Sequence, residues 1–258
     1  MNTATMTTSN MTTGRRLKSY WQFMYCQWLG LVRMPAYTLP TLLFPIMFYA
    51  FFGVLMIPGL ADYLLATYST FGVLGAALFA FGVSVATERA QGYFTLIRAT
   101  PAPLMGVVIG KWFGAALFGA IIVVCLSVMA AAFGEVRMMQ SQWLGLLAVL
   151  MLGTLPFCLL GLAMGLMLSP NAAPAVINLI YLPMGFLSGL WIPLSQFPSW
   201  LQAIAPWLPP YHLAALALHV TGVQETEPLR HVLALLAFAG LFALLVAWGW
   251  RRMMAQPK

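Results

Sequence analysis

Charge is what this chain has least of. Five Asp or Glu and twelve Lys or Arg make up 7% of its 258 residues, against about 25% in an ordinary soluble domain. With 62% apolar residues, too few polar side chains exist to cover a water-facing surface. Cysteine is nearly as scarce. Cys26, Cys125 and Cys158 are scattered and odd in number, which gives neither a disulfide framework nor metal spacing, so they read as small hydrophobic residues. His212, His219 and His231 are dispersed without ligand spacing. Dense basic runs are missing too. The net charge of +7 comes from Lys and Arg at the edges of apolar blocks, a placement that suits lipid headgroups and membrane orientation and excludes a patch able to neutralise several phosphates of a nucleic acid. The first fourteen residues are Thr-rich and lack the apolar core of a signal peptide; they are expected to be a disordered tail.

What is present is long apolar blocks, hydrophobic all round as helices in lipid are. About twenty apolar residues are needed to cross a bilayer. Six stretches qualify: Ala36 to Ile57, Leu64 to Thr87, Val107 to Phe133, Trp143 to Leu168, Ala172 to Ile192 and Leu229 to Trp250. Pro40, Pro45, Pro156 and Pro183 fall inside them and predict kinks. The basic residues predict the orientation. With the N-terminus cytoplasmic, Arg15, Arg16, Lys18, Arg33, Arg89, Arg98, Lys111, Arg251, Arg252 and Lys258 lie inside, and Arg137 and Arg230 lie outside. That asymmetry satisfies the positive-inside rule with both termini in the cytoplasm.

Three connecting regions are more than plain loops. In residues 15–34, a period of 100° per residue puts Leu17, Trp21, Met24, Trp28, Leu31 and Val32 on one face. Arg15, Lys18, Ser19, Gln22, Cys26, Gly30 and Arg33 fall opposite. This predicts an amphipathic helix in the cytoplasmic headgroup layer, or one packed on a partner. Residues 88–106 form the loop after the second span, with Glu88, Arg89 and Arg98 beside a short apolar patch of Tyr93, Phe94, Leu96 and Ile97, stopped by Pro101 and Pro103. It reads as a docking element, or as an interfacial segment resting on lipid. Residues 193–228 are rich in Trp and Leu and are broken by Pro198, Pro206, Pro209 and Pro210 into pieces too short to span. Short re-entrant helices on the outer side, or an ordinary folded loop, fit that pattern.

Little in the sequence looks catalytic. The run from Gly106 to Lys111 is one residue too short for a nucleotide-phosphate loop and lacks its Ser or Thr. Ser188 beside Gly189 could be compared with an intramembrane serine protease using His212 or His219, but no acid in the spans would orient the base. Small residues there suit close helix packing. The spans hold almost no ionisable groups, so a proton- or sodium-driven cycle lacks its machinery. The energy source is expected to be another polypeptide.

Two stretches resemble the ABC-2 type permeases, the membrane subunits of one class of ATP-binding-cassette exporters. The first is Glu88-Arg89-x-x-Gly92-x-x-x-Leu96-x-x-x-Thr100-Pro101, followed by Gly110-Lys111. The second runs from Asn171 through Asn178, then Pro183, Ser188-Gly189, Pro193, Pro198 and Pro206. The resemblance implies an all-α membrane fold of six spans with an N-terminal interfacial helix and broken outer helices. It implies a permease homodimer in the bacterial inner membrane and two docked ATPase subunits. This chain would hold no cofactor, and ATP and Mg would sit on the partner. Glu88, Arg89, Gly92, Leu96, Arg98 and Pro101 would then form the ATPase-coupling element, although Gln91 and Gly92-Tyr93-Phe94 depart from the family's usual run. Asn178, Tyr181 and Phe186 are candidates for lining a pathway between protomers, or for packing. A passive channel or secondary carrier without an ATPase remains the alternative, and a membrane-embedded enzyme a third. The aromatic- and Met-rich spans permit a drug, a lipid or a lipid-linked glycan as substrate, and their few polar groups lean towards a hydrophobic or amphipathic molecule.

Overall fold

Long apolar blocks with helix-compatible composition become long helices. The computed structural model describes residues 21–22, 24–25, 28–30, 35–99 and 104–255, and among these the regular structure is entirely helical. In chain order the helices are α1 (Pro35–Phe48, continued as a π-helix over Tyr49–Met56), α2 (Ala61–Ala90), α3 (Tyr93–Ala99), α4 (Leu104–Phe133), α5 (Gln140–Met167), α6 (Ala173–Leu187), α7 (Ser199–Ile204), α8 (Pro209–Val220) and α9 (Pro228–Ala255). Four of them, α2, α4, α5 and α9, are long and apolar enough to cross a membrane; α1 and α6 are apolar but shorter. The chain therefore has the build of an integral membrane protein. The tail at residues 1–14 lies outside the described residues, as does most of the expected interfacial helix at 15–34. Its described part is helical, and the Trp28 ring sits 5.1 Å from Phe118 of α4.

The fifth expected span needs correcting. Ala172 to Ile192 reads as continuous apolar sequence, but α6 stops at Leu187 because Gly189 takes φ +76° and turns the chain. Fifteen residues rise only about 22 Å. Pro40, Pro45, Pro156 and Pro183 all lie inside helices that continue past them. The segment after α6 does break into short pieces, as its prolines predict: a 3-10 turn at Leu194–Gln196, α7, a second at Ala205–Trp207, and then α8. Of these, α8 is largely buried, whereas Trp200 and Trp207 are exposed.

The core is built around α2, most of whose apolar length is enclosed by its neighbours. Between lipid-soluble helices there is no hydrophobic drive to associate, so close van der Waals packing must hold them. Glycines make that approach possible. A Cβ at Gly161 of α5 would stand 3.0 Å from the Leu78 carbonyl oxygen, and one at Gly165 only 2.8 Å from that of Gly82. These are backbone atoms of α2, which cannot swing aside. Toward α6, α2 offers Gly75 to the Tyr181 hydroxyl and Gly82 to Ile177. In contrast, α9 leaves Leu233, Leu236, Leu244 and Trp248 exposed, as a helix facing lipid would.

Candidate functional site: the α2–α3 junction

A cluster of charged and polar side chains lies where α2 ends. Glu88 and Arg89 occupy its last turn, Gln91 and Gly92 form a turn, and α3 begins at Tyr93. Gly92 has φ +76°, a region that costs other residues about 1–2 kcal/mol. Its carbonyl accepts from the Thr95 and Leu96 amides, at 2.9 and 3.1 Å, and so starts the short helix.

Glu88 and Arg89 both point into the protein. The Lys111 ammonium of α4 donates to Glu88 Oε1 at 2.6 Å and to Ser84 Oγ at 2.9 Å. The Lys111 and Glu88 side chains are 5% and 20% exposed, so this ion pair is shielded from water. The Ser84 hydroxyl in turn donates to the Ala80 carbonyl, so Lys111 meets a hydroxyl whose own proton is committed elsewhere. Arg89 reaches the last turn of α5, donating to the carbonyl of Leu166 and, at 2.7 Å, to that of Leu168. A guanidinium there satisfies carbonyls that no helical amide can reach and complements the negative end of the helix dipole. Two consecutive residues thus fasten α2 to two different helices.

The same end holds α3. Phe94 is buried against Val85 and Leu166, with Leu162, Val246 and Met253 around it, and its ring meets Trp250 of α9 edge-on at 5.9 Å. Two residues further on, Leu96 is 64% exposed. The short helix therefore has one face clamped by α2, α5 and α9 and one apolar side chain offered outward. Gly92 is exposed as well. The backbone of Arg98 belongs to α3, but its side chain lies outside the described residues, and so does Pro101.

The pathway candidates separate. Tyr181 is buried, stacks on Phe71 at 4.5 Å and donates its hydroxyl proton to the Phe71 carbonyl at 3.0 Å, which is the packing role. Asn178 is exposed, with Leu179 and Leu182 on the same side of α6. Phe186 is partly buried against Phe197 and Trp191.

Sequence reasoning missed two arrangements. Lys111 gave no sign of its partners, because i-to-j pairing between separate helices leaves no periodic trace. The histidines, read as dispersed, are in part brought together: His212 and His231 meet through their Nδ1 atoms at 2.9 Å, while His212 Nε2 lies 2.9 Å from the Pro206 carbonyl oxygen. In the neutral pair, Nε2–H of His212 donates to that carbonyl, which leaves its Nδ1 to accept from Nδ1–H of His231. This joins α8 to α9 and commits His212 away from Ser188. The faint phosphate-loop run is likewise set aside, its lysine being held by Glu88. Among the described residues, no group of three or more His, Cys, Asp or Glu is placed to hold a metal ion.

An all-helical bundle of long apolar helices, with a short helix braced at one end, defines a multi-pass membrane protein. The chain matches the ABC-2 type transporter family over residues 18–220 and belongs to it. It is also similar to "Putative transport permease YvfS" of Bacillus subtilis (strain 168), with 28% identity over 221 residues that cover 83% of this chain and 89% of that protein. The chain is accordingly a transmembrane transport subunit.

Proposed function

We propose that this chain is the permease of an ATP-driven exporter, with α3 as the element that receives motion from a separate ATPase. The observation that carries this reading is the two-sidedness of α3: Phe94 is locked into the bundle while Leu96 stands exposed two residues away. A helix that only rested on lipid would not need bracing by α2, α5 and α9. Glu88, Arg89 and Gly92 act in this scheme as the mounting of the coupling helix. Leu96 is its contact, and Arg98 and Pro101 belong to the same element by sequence.

In this reading α1 and α6 complete six spans, with both termini cytoplasmic in the bacterial inner membrane, and the pieces between α6 and α8 dip back into the outer leaflet. Two copies pair, two ATPase subunits dock beneath, and ATP and Mg are held there. Closure of the ATPase pair moves α3. Because Glu88–Lys111, Arg89 and Phe94 tie that end to α4, α5 and α9, those helices move with α2 as one body. The gap between protomers then alternates between inward and outward access. A bias of a few kcal/mol per cycle is enough to exchange the populations. Asn178, exposed on α6, faces that gap, whereas Tyr181 acts through packing. The substrate class is a hydrophobic or amphipathic molecule.

The test is a detergent pulldown of tagged protein, wild type and Leu96→Asp/Arg98→Glu, co-expressed with its neighbouring genes. A soluble ATPase should follow the wild type and be lost from the variant while the variant still elutes as a folded species. If no ATPase is recovered and the purified chain alone exchanges solute, the passive carrier replaces this account.

A further inference from the structure

At the end of the bundle opposite α3, a cavity of about 810 Å³ opens between the start of α2, the α4–α5 connection and the segment before α9. Its wall is unusual for so apolar a chain. It gathers Asp62 and Arg137, one of each sign from the few charges the protein has, together with Tyr63 and Tyr211. Ser188 and Thr226 also line it, and their buried hydroxyl oxygens make no hydrogen bond among the described residues. Beside it lies a second cavity of about 400 Å³ with the opposite character. It is walled by Phe48 and Phe52 of α1, Leu64 and Tyr68 of α2, and Trp191 after α6. Leu60 and Pro193 line both, so the polar basin and the apolar cleft are neighbours across two shared residues. Phe52 belongs to the π-helical stretch of α1, a distortion that recurs at functional sites.

We propose that the two cavities form one site for a zwitterionic amphipath, with the headgroup in the basin and the chain in the cleft. Asp62, with Tyr63 and Tyr211 in the same wall, suits an ammonium, Arg137 suits a phosphate or carboxylate, and Ser188 and Thr226 add to that wall hydroxyls unpartnered among the described residues. Each volume taken alone falls in the range of pockets that enclose drug-sized ligands. A purely apolar cargo would leave the basin's polar groups unanswered, and a free polar solute would not fill an aromatic cleft. That the occupant is cargo, seated on the far side before release, rests on the exporter reading; that it binds does not.

The purified permease without any ATPase is titrated in detergent with lysophosphatidylethanolamine, lysophosphatidylglycerol and soluble phosphoethanolamine, and occupancy is read by native mass spectrometry. The ethanolamine lysolipid should bind at least about tenfold more tightly than the other two probes. Asp62→Asn should remove most of the preference for ethanolamine over glycerol, Arg137→Gln should weaken all three phosphate-bearing probes, and Leu60→Trp should block the chain. If Leu60→Trp fails to elute as a folded species, Ile192→Trp at the cleft wall takes its place. Equal binding of both lysolipids, unchanged by Asp62→Asn and Arg137→Gln, would mean a surface lipid and overturn the proposal. Phosphoethanolamine binding as tightly as its lysolipid would overturn the role of the cleft. Headgroup-selective binding alongside a failed ATPase pulldown would sink the exporter reading and leave the site standing.

Discussion

Replacing Lys111 by methionine isolates the bracing of the α2–α3 junction. Methionine keeps the length and apolar stem of lysine and removes only the ammonium, so packing around α4 is little disturbed. What is left is a Glu88 carboxylate whose side chain is 20% exposed, with Oε2 already unpartnered among the described residues and Oε1 now unpartnered as well. Removing one member of a buried ion pair costs about 3–5 kcal/mol. The partial exposure of Glu88 places this case near about 3 kcal/mol, because water at that end still solvates part of the stranded charge. Glu88→Met strands Lys111 in the same way. The double variant Lys111→Met/Glu88→Met strands neither and should lie within about 1 kcal/mol of wild type, since a well-packed apolar pair substitutes for a buried ionic one at little net cost. Unfolding in mixed micelles, followed by tryptophan fluorescence, measures all four proteins. On the exporter proposal, the double variant should also retain the partner ATPase, because Arg89 and Phe94 still hold α3, while transport per ATP falls as α4 is uncoupled from α2. Additive losses in the two single variants, or a Lys111→Met protein as stable as wild type, would refute the buried-pair reasoning.

Two further changes probe the same architecture. Arg89→Gln removes charge-assisted donors from the Leu166 and Leu168 carbonyls and should cost about 1.5–3 kcal/mol; hydrogen exchange should quicken at the α5–α6 turn, and unchanged protection there would exclude the capping role. Gly165→Ala places a methyl 2.8 Å from the Gly82 carbonyl oxygen and 2.9 Å from that of Phe81. It should destabilise by about 1–3 kcal/mol, whereas Gly240→Ala, with nothing within 4 Å, should leave the unfolding midpoint unchanged or slightly raised; equal behaviour of the two would mean that α2 and α5 do not touch as described.

How much of this was legible beforehand depends on the range of the interaction involved. The long helices announce themselves because each apolar run is a local property, and α2, α4, α5 and α9 follow the expected spans to within three residues at most ends. The end of α6 did not, since hydropathy continues smoothly through Leu190 and Trp191 while the chain turns at Gly189 on a backbone angle that composition does not report. For the junction, the family-like spacing of Glu88, Arg89, Gly92 and Leu96 drew attention to this segment and left the directions of its side chains hidden. Motif positions carry residue identity and say nothing about direction. Only Ser84, Lys111, Leu166 and Trp250, drawn from four separate helices, determine that Glu88, Arg89 and Phe94 face inward and Leu96 outward. This sorting has a mechanical consequence. If α3 is the coupling element proposed above, it must be stiff toward the bundle it drives and compliant toward the partner that drives it. Ion pair, helix cap and aromatic wedge brace the junction at three separate points, so on that proposal a push delivered at Leu96 would reach α4, α5 and α9 together and not through α2 alone.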